Sequence, residues 1–377
     1  MCMRKNKIIF DARFFGEAGP GRYTKNVLSA LEKLDNYNEY YVLLKKKNWD
    51  LYTPANLHFT KVLADIPWYS WAEQTKLLLL MLKLKADLLY VPHFNIPVLY
   101  PQKIVTAIPD LIMHTFSTQK GTTLPKPYFW FKKVIYKIVF SIAVNRSEKV
   151  IVPSQSVRQE FLKLFETDKY VVAYEGLDPS CIEETDSDLG IRGNFILHVG
   201  SMYEHKNIYR LIAAFELLRS KYNYSGKLVL IGKKDKFSSD VSNFIAKKGL
   251  TEFVLIPGNK RPVSDCEVVG LRRKAELCVF PSLKEGFSLT PLEAQAVGLP
   301  CVISDIPVHK EVYGDSVEYF DPLNPEDIAQ KIAGTLHNAE KMKELIGKGY
   351  ELQKLYDWKT TGEITLRVLN NILENLK

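Results

Sequence analysis

Short apolar runs rich in β-branched residues alternate with stretches of helical spacing along most of the chain. Six runs in the first half read as strands: "KIIFDA", "YYVLL", "DLLYVP", "KIVTAIP", "KVIVPS" and "YVVAYEG". Five follow in the second half: "FILHVGS", "KLVLIGK", "FVLIPG", "ELCVFPS" and "PCVISD". Between them, segments such as "NIYRLIAAFELLRSKY" place Ile208, Leu211, Ile212, Phe215 and Leu218 on one helical face. Alternation of this kind predicts an α/β chain with parallel sheets covered on both faces by helices. The pattern pauses at "SCIEETDSDLGIRGN", an acidic stretch short of bulky apolar residues, which reads as a linker. Two doubly wound domains are expected, over residues 1–185 and 191–356. Open parallel sheets bind ligands beyond the carboxyl ends of their strands. Two such domains facing across a cleft would therefore carry their chemistry in the loops that follow the strands.

Composition narrows this little. At 377 residues the chain exceeds the size at which one core stops growing, and 46% apolar with 25% charged residues is ordinary for a globular protein. Five scattered cysteines without a C-x-x-C pair argue for a reducing compartment and against a disulfide framework or structural zinc. "MCMRKNKIIFDARFF" lacks the longer apolar stretch of a signal peptide and reads as a first strand. The longest apolar stretches, "LLLLMLKLKADLLYV" and "VIYKIVFSIAVN", are too short or too lysine-punctuated to span a bilayer, so a cytoplasmic protein is expected. The net charge of +8 suits a nucleotide, a nucleic acid or an anionic membrane alike. "PKPYFWFKKVIYKIVFSIAVNR" mixes aromatics with Lys132, Lys133 and Lys137, a composition compatible with weak peripheral contact on the inner face of a membrane. The plainer reading of that stretch is a buried helix leading into "KVIVPS".

The loops after the strands hold the candidate chemistry. After the first strand, "FFGEAGPGRYTKNVLSALEKL" offers Gly16, Gly19 and Gly21 for close backbone approach, with Arg22 and a helix start favouring an anion. It is not the G-x-G-x-x-G dinucleotide fingerprint, and a plain strand-to-helix turn accounts for the loop equally well. His93 in "VPHFNIP" either caps a turn or hydrogen-bonds a ligand, and Asp110 invites the same two readings. In "FILHVGSMYEHKN", Gly200 ends a strand and Lys206 stands at a helix start, where a cation is disfavoured; either a phosphate binds there or Lys206 is a solvated surface lysine. In "SLKEGFSLTPLEAQAVGLP", Thr290, Pro291 and Glu293 read as a capping box, with Thr290 at the N-cap. That accounts for Glu293 but not for Glu285, nor for the small polar residues Ser288 and Thr290 ahead of the helix. A phosphate at that start would leave both carboxylates within reach of sugar hydroxyls.

Three segments, "GEAGPGRYTKNVLSAL", "HVGSMYEHKNIYRLIAAF" and "FPSLKEGFSLTPLEAQAVGLPCVISD", together resemble glycosyltransferase family 4. The resemblance runs nearly end to end, and Glu285 and Glu293 match the family's E-x7-E motif. It implies the GT-B fold and retaining transfer of a hexose, mannose as the first candidate, from a GDP- or UDP-linked donor to a saccharide or lipid-linked saccharide. On this resemblance Lys206 would bind the donor diphosphate with Gly200, Ser201 and the segment Gly286, Phe287, Ser288, Leu289 and Thr290. Glu293 would bind the ribose, Glu285 the donor sugar near its reacting carbon, and His93 the transferred sugar. Gly19 and Gly21 would line the acceptor side of the diphosphate, with Arg22 and Asp110 on the acceptor side. The helix over residues 357–377 would return to the first domain. Ser201 and His205 stand where many members have arginines, so Arg261 or Arg22 would supply charge, and Ser288 stands where glycine is usual. No metal is expected, since no D-x-D motif of the metal-using type is evident. A non-catalytic sugar-nucleotide-binding module is the alternative; a nucleic-acid-binding protein would account for the charge but not for the glutamate pair.

Overall fold

The computed structural model describes residues 5–116, 126–183 and 189–375, so part of the expected linker lies outside the described residues. The first sheet comprises β1 (Lys7–Asp11), β2 (Glu39–Leu44), β3 (Phe59–Leu63), β4 (Leu88–Val91), β5 (Lys103–Ala107), β6 (Ser147–Val152) and β7 (Tyr170–Val172). Its order is β3-β2-β1-β4-β5-β6-β7, parallel throughout. The second comprises β8 (Phe195–Val199), β9 (Lys227–Ile231), β10 (Val254–Leu255), β11 (Leu277–Phe280), β12 (Cys301–Ser304) and β13 (Glu318–Phe320). Its order is β10-β9-β8-β11-β12-β13, again parallel. The strands that alternate poorly are the ones the apolar pattern misses. Both β3, with only Phe59 buried, and β13, with only Phe320 buried, lie at sheet edges, where one face and one side need not be apolar.

Two compact units result. The first takes Met1–Leu111, Ser117–Gly176 and Asp357–Lys377; the second takes Ile112–Phe116 and Leu177–Tyr356. The crossover thus falls at Gly176, ahead of the acidic stretch, and Pro179–Cys181 forms a turn of the second unit. Helix Trp358–Glu374 belongs to the first unit, where it lies on helix Ala18–Leu34 so closely that a Cβ on Gly362 would sit 2.5 Å from Ala30 Cβ. Asn38 Nδ2 donates to Asn370 Oδ1 at 2.9 Å along the same seam. In the first unit Ile9, Leu89, Met81, Phe140 and Phe161 share one core. In the second, Leu211, Phe215, Leu228, Val279 and Ile328 share another.

Each sheet reverses its winding once. The reversals fall between β1 and β4 in the first and between β8 and β11 in the second, and at such points the strand-end loops part and leave a crevice. Phe14 and His93 follow β1 and β4, while Lys206 and Glu285 follow β8 and β11.

Candidate functional site

In the second unit the loops after β8 and β11 are laced together. Leu283 N donates to His205 O at 2.7 Å. Asn207, left-handed at φ 60°, sends its amide to Pro281 O at 3.0 Å and Pro322 O at 2.7 Å. This holds the turn Glu204–Lys206, just ahead of helix Ile208–Tyr222, against the end of β11. Lys206 Nζ thereby meets Glu285 Oε1 at 2.6 Å, with the two side chains 21% and 9% exposed. Burial alone would raise the Glu285 carboxyl, but the charge and hydrogen bond of Lys206, with Ser282 and His205, bring it down to about 2. Around the pair, burial holds His198, His205 and His309 each down at about 4, so all three are neutral at neutral pH.

The helix after Glu285 starts two residues earlier than the capping-box reading requires. It spans Leu289–Gln295, with Ser288 at the N-cap in a left-handed conformation (φ 77°) and no side-chain cap. Thr290 is inside the helix, and Glu293 turns away from its start. Glu293 is 3% exposed and ion-paired with buried Arg272 from helix Asp265–Lys274, while Cys181 Sγ donates to Oε1 at 3.4 Å. The physical reason is packing: Pro291 to Gln295 are buried, and a carboxylate among them needs a buried cation. Ser288 is clamped instead by His309 Nε2, 3.2 Å from its Oγ, and by the Tyr313 hydroxyl, which donates to its carbonyl. Phe287 is also buried, edge-on to Tyr356 at 5.2 Å, so its side chain anchors the loop from within.

Gly200, Gly232 and Gly258 end neighbouring strands with their backbones almost touching. A Cβ on Gly232 would sit 2.6 Å from Gly200 O, and one on Gly258 2.2 Å from Gly232 O. Only glycine permits that approach. Arg261 follows on the same side of the sheet but its guanidinium is closed on Glu267, with Nη1 3.0 Å from Oε2. Glu267 is in turn the partner of Ser264 in a capping box, so Arg261 reaches a diphosphate only by leaving Glu267.

The first unit builds a second cluster. His93 is 7% exposed, with Phe14 stacked at 4.6 Å and Phe94 tilted at 4.3 Å. Burial brings its pKa down to about 3, partly offset by Asp11 and reinforced by Arg13, and its Nδ1 has no hydrogen-bond partner among the described residues. Phe14 also stacks on Trp68 at 4.3 Å, and Lys45 Nζ lies 3.8 Å from the indole centre. Beneath these rings Arg13, fully buried, bonds Asp11 Oδ2 at 2.7 Å and Glu73 Oε1 at 2.9 Å. Glu73 Oε2 accepts from Tyr69 N at 2.5 Å and so pins Tyr69 at φ 56°, a left-handed turn that a bulky residue adopts only under constraint. Burial raises the Tyr69 and Tyr136 phenols, followed by the charges of Glu73 and then Asp110 at Tyr69 and by the charge of Asp110 at Tyr136.

Gly19 and Gly21 lie inside the first turn of helix Ala18–Leu34, and Arg22 at the start of its second, rather than ahead of it. The N-cap Glu17 makes no side-chain cap and pairs with Lys47 instead. A Cβ on Gly21 would meet Phe14 O at 2.5 Å, whereas the space beside Gly19 is open. The structure thus gathers Lys206, Glu285, Ser288 and Gly200 in one unit, and His93 and Asp110 around Tyr69 in the other. Sequence reading missed Trp68, Tyr69, His309, Tyr313 and Arg272. Only "WYSW" carried a local signal, its aromatics standing in a short loop without an apolar period.

Residues 182–352 match the family model of glycosyl transferases group 1. The O-antigen chain mannosyltransferase RfbU of Salmonella typhimurium is 25% identical over 311 residues, covering 81% of this chain and 79% of that protein. Sucrose-phosphate synthase from Thermosynechococcus elongatus superimposes with a TM-score of 0.77 at 15% identity, covering 98% of this chain and 100% of that one. Anabaena HepE, solved with UDP and glucose, gives a TM-score of 0.74 at 16% identity, covering 97% and 100%. Likeness at such identities establishes the fold, GT-B.

Proposed function

We propose that this chain, a glycosyltransferase with its group 1 family region in residues 182–352, moves a hexose with retention from a nucleoside-diphosphate sugar to a saccharide or lipid-linked saccharide. Mannose is the first candidate, in line with the name of the Salmonella relative. The observation that carries the reading is the contact of Lys206 with Glu285 at the winding reversal of the second sheet. On this reading Lys206 serves as a cation for the diphosphate and Glu285 as a carboxylate for the sugar.

In this reading the diphosphate lies against Lys206 and the backbone N–H groups at Leu289 and Thr290, and the sugar hydroxyls reach Glu285. The bond from the anomeric carbon to the phosphate oxygen breaks while the acceptor oxygen attacks the same face. The departing phosphate oxygen takes the acceptor's proton. What the protein supplies is position and charge stabilisation, not a proton. Neutral His93 suits a hydrogen bond to the transferred sugar and not general acid catalysis near pH 7. The uncapped helix start at Gly19 and the aromatic face of Phe14, Trp68 and Tyr69 suit the acceptor side. No metal ion takes part in this reading, so EDTA should leave turnover unchanged.

Release of GDP from GDP-mannose, assayed beside release of UDP from UDP-glucose with oligosaccharide acceptors, tests the reading. Thermal stabilisation by one nucleotide with no turnover over a panel of acceptors would favour the silent binding module. Stabilisation by neither would remove the donor assignment.

Membrane contact belongs to the same proposal. Among the described residues no helix is long and apolar enough to cross a membrane. Helix Lys126–Arg146, which reads from sequence as buried, is so only toward its end, at Phe140, Ala143 and Val144. Trp130, Phe131, Val134 and Ile138 are exposed beside Lys133 and Lys137. That face suits shallow insertion into anionic headgroups.

A further inference from the structure

Ser288 stands at the end of a hydrogen-bond relay that fixes which way its proton points. The Ser304 hydroxyl donates to Ser282 O at 2.6 Å, so its oxygen is left only to accept. His309 Nδ1 faces that oxygen at 3.1 Å and the Ser304 carbonyl at 2.9 Å, and two acceptors there require Nδ1 to carry the ring proton. Burial takes the His309 pKa down to about 4, so at neutral pH the ring holds one proton and Nε2 is a bare lone pair. Ser288 Oγ lies 3.2 Å from Nε2 and must donate to it. A serine hydroxyl has one proton and two acceptor positions, so with that proton committed Ser288 Oγ can only accept. The Tyr313 hydroxyl closes on the Ser288 carbonyl and keeps the residue from turning. Glycine would hold this left-handed backbone without strain, so the oxygen is what serine adds here. The relay borders the pair of Lys206 and Glu285: both charges act on the buried His309 ring, and the Ser282 side chain hydrogen-bonds Glu285.

We infer that Ser288 is a specificity-determining residue for the transferred sugar: with His309 as its positioning residue, its oxygen accepts a hydrogen bond from one sugar hydroxyl. This rests on the reading of Lys206 and Glu285 as the donor site. Ser288 Oγ is thereby assigned to the sugar and not to the diphosphate, where the family resemblance would put it. A phosphate oxygen carries lone pairs only and finds no donor on Ser288, whereas a sugar hydroxyl brings the proton that the site lacks. Glu285 is an acceptor too, so the two residues select a sugar by hydroxyls that donate.

Two measurements on the full chain test this. In nitrogen NMR of protein labelled at its histidine rings, the His309 signals, identified by their loss in His309→Gln, should show Nδ1 protonated and Nε2 not. Protonation at Nε2 at neutral pH overturns the inference. Isothermal titration then compares GDP and UDP with GDP-mannose and UDP-glucose, and with both sugar nucleotides carrying fluorine in place of each sugar hydroxyl in turn. Fluorine at the carbon read by Ser288 should weaken binding to the unaltered protein at least about tenfold. Ser288→Ala should reduce that one penalty to about threefold or less, keep the penalties at the other carbons, and bind GDP and UDP within about twofold of the unaltered protein. Ser288→Gly should behave alike, and is scored by the same ratios if Ser288→Ala does not fold. Equal weakening of nucleotide and sugar nucleotide in the variants means that Ser288 serves the diphosphate or the fold. No such penalty at any carbon, or penalties unchanged in the variants, means that its oxygen meets no sugar hydroxyl. Either result overturns the inference with the donor reading intact. An unaltered protein that binds neither sugar nucleotide removes the donor reading itself and this inference with it.

Discussion

Lys206 and Glu285 come from loops on neighbouring strands and touch at 2.6 Å, although the carboxylate is largely shielded from water. A carboxylate so placed is costly unless its counter-ion stays, so each partner is needed for the other to remain charged. Lys206→Met should lower kcat/KM at least about a hundredfold and destabilise the fold by about 2–3 kcal/mol, measured by sugar-transfer kinetics and urea unfolding. The stability loss depends on pH. Folded Glu285 titrates near 2, below the ordinary 4.5, so its ionised form stabilises the protein above about pH 4.5 and that contribution fades as pH falls towards 2. In Lys206→Met burial dominates and raises the carboxyl, so the gap to the unaltered protein should be widest at neutral pH and narrow below pH 4.5. A gap constant with pH would mean that the pair is not the source.

Buried histidines act on the same acid flank of the stability profile, at higher pH. His93 titrates near 3 and His198, His205 and His309 near 4 in the folded chain, all below 6.5. The unfolded chain therefore binds more protons as pH falls from about 6.5 towards 4, and folding weakens across that window by up to about 1.4 kcal/mol per pH unit for each histidine. Thermal unfolding should show Tm dropping between pH 7 and 5, and His198→Gln should flatten the drop. Turnover at fixed stability should show no limb from His93 between pH 6 and 8.

Ser288 offers a test of backbone strain. A left-handed residue with a side chain costs about 1–2 kcal/mol, and here the clamp from His309 offsets it. Ser288→Gly should relieve the strain while losing the clamp and come out within about 0.5 kcal/mol of the unaltered protein. Ser288→Ala, which keeps the strain, should lose about 1 kcal/mol by urea unfolding.

The two glycines of the first helical turn should part company. Gly21→Ala drives a methyl to 2.5 Å from Phe14 O and should cost about 2 kcal/mol or more. Gly19→Ala meets no neighbour and should stabilise the helix slightly, yet raise KM for acceptor or donor if a ligand lies against that turn. Unchanged kinetics in Gly19→Ala would remove this turn from the site.

Legibility followed the range of the signal. Strands β1, β4, β8 and β11 are continuous apolar runs because both their faces are covered, and the loops that follow them could be placed without coordinates. Edge strands β3 and β13 are short and half-polar, so nothing local distinguishes them from loop. The glutamate pair was visible as a spacing, but its chemistry was not. "TPLE" satisfies a capping box on paper, and only the fold shows that Ser288 takes the N-cap and that Glu293 faces Arg272, 21 residues earlier in the chain. The aromatic face escaped for the same reason: Phe14, Trp68 and His93 come from three strand-end loops, and their stacking exists only once the sheet has formed.

Helix Trp358–Glu374 belongs to the unit that is synthesised first, and its start packs so closely on Gly176 that a Cβ there would sit 2.3 Å from Trp358 N. A nascent chain therefore exposes the seam on helix Ala18–Leu34, around Ala30 and Asn38, throughout the time the ribosome takes to make the whole second unit. The second unit can close as soon as Tyr356 has emerged, whereas the first must wait for the seventeen residues that follow Asp357. Birth order and folding order are thus reversed. Messages cut short anywhere between the units would yield a first unit with an open apolar groove, a substrate for chaperones and proteases and not for sugars.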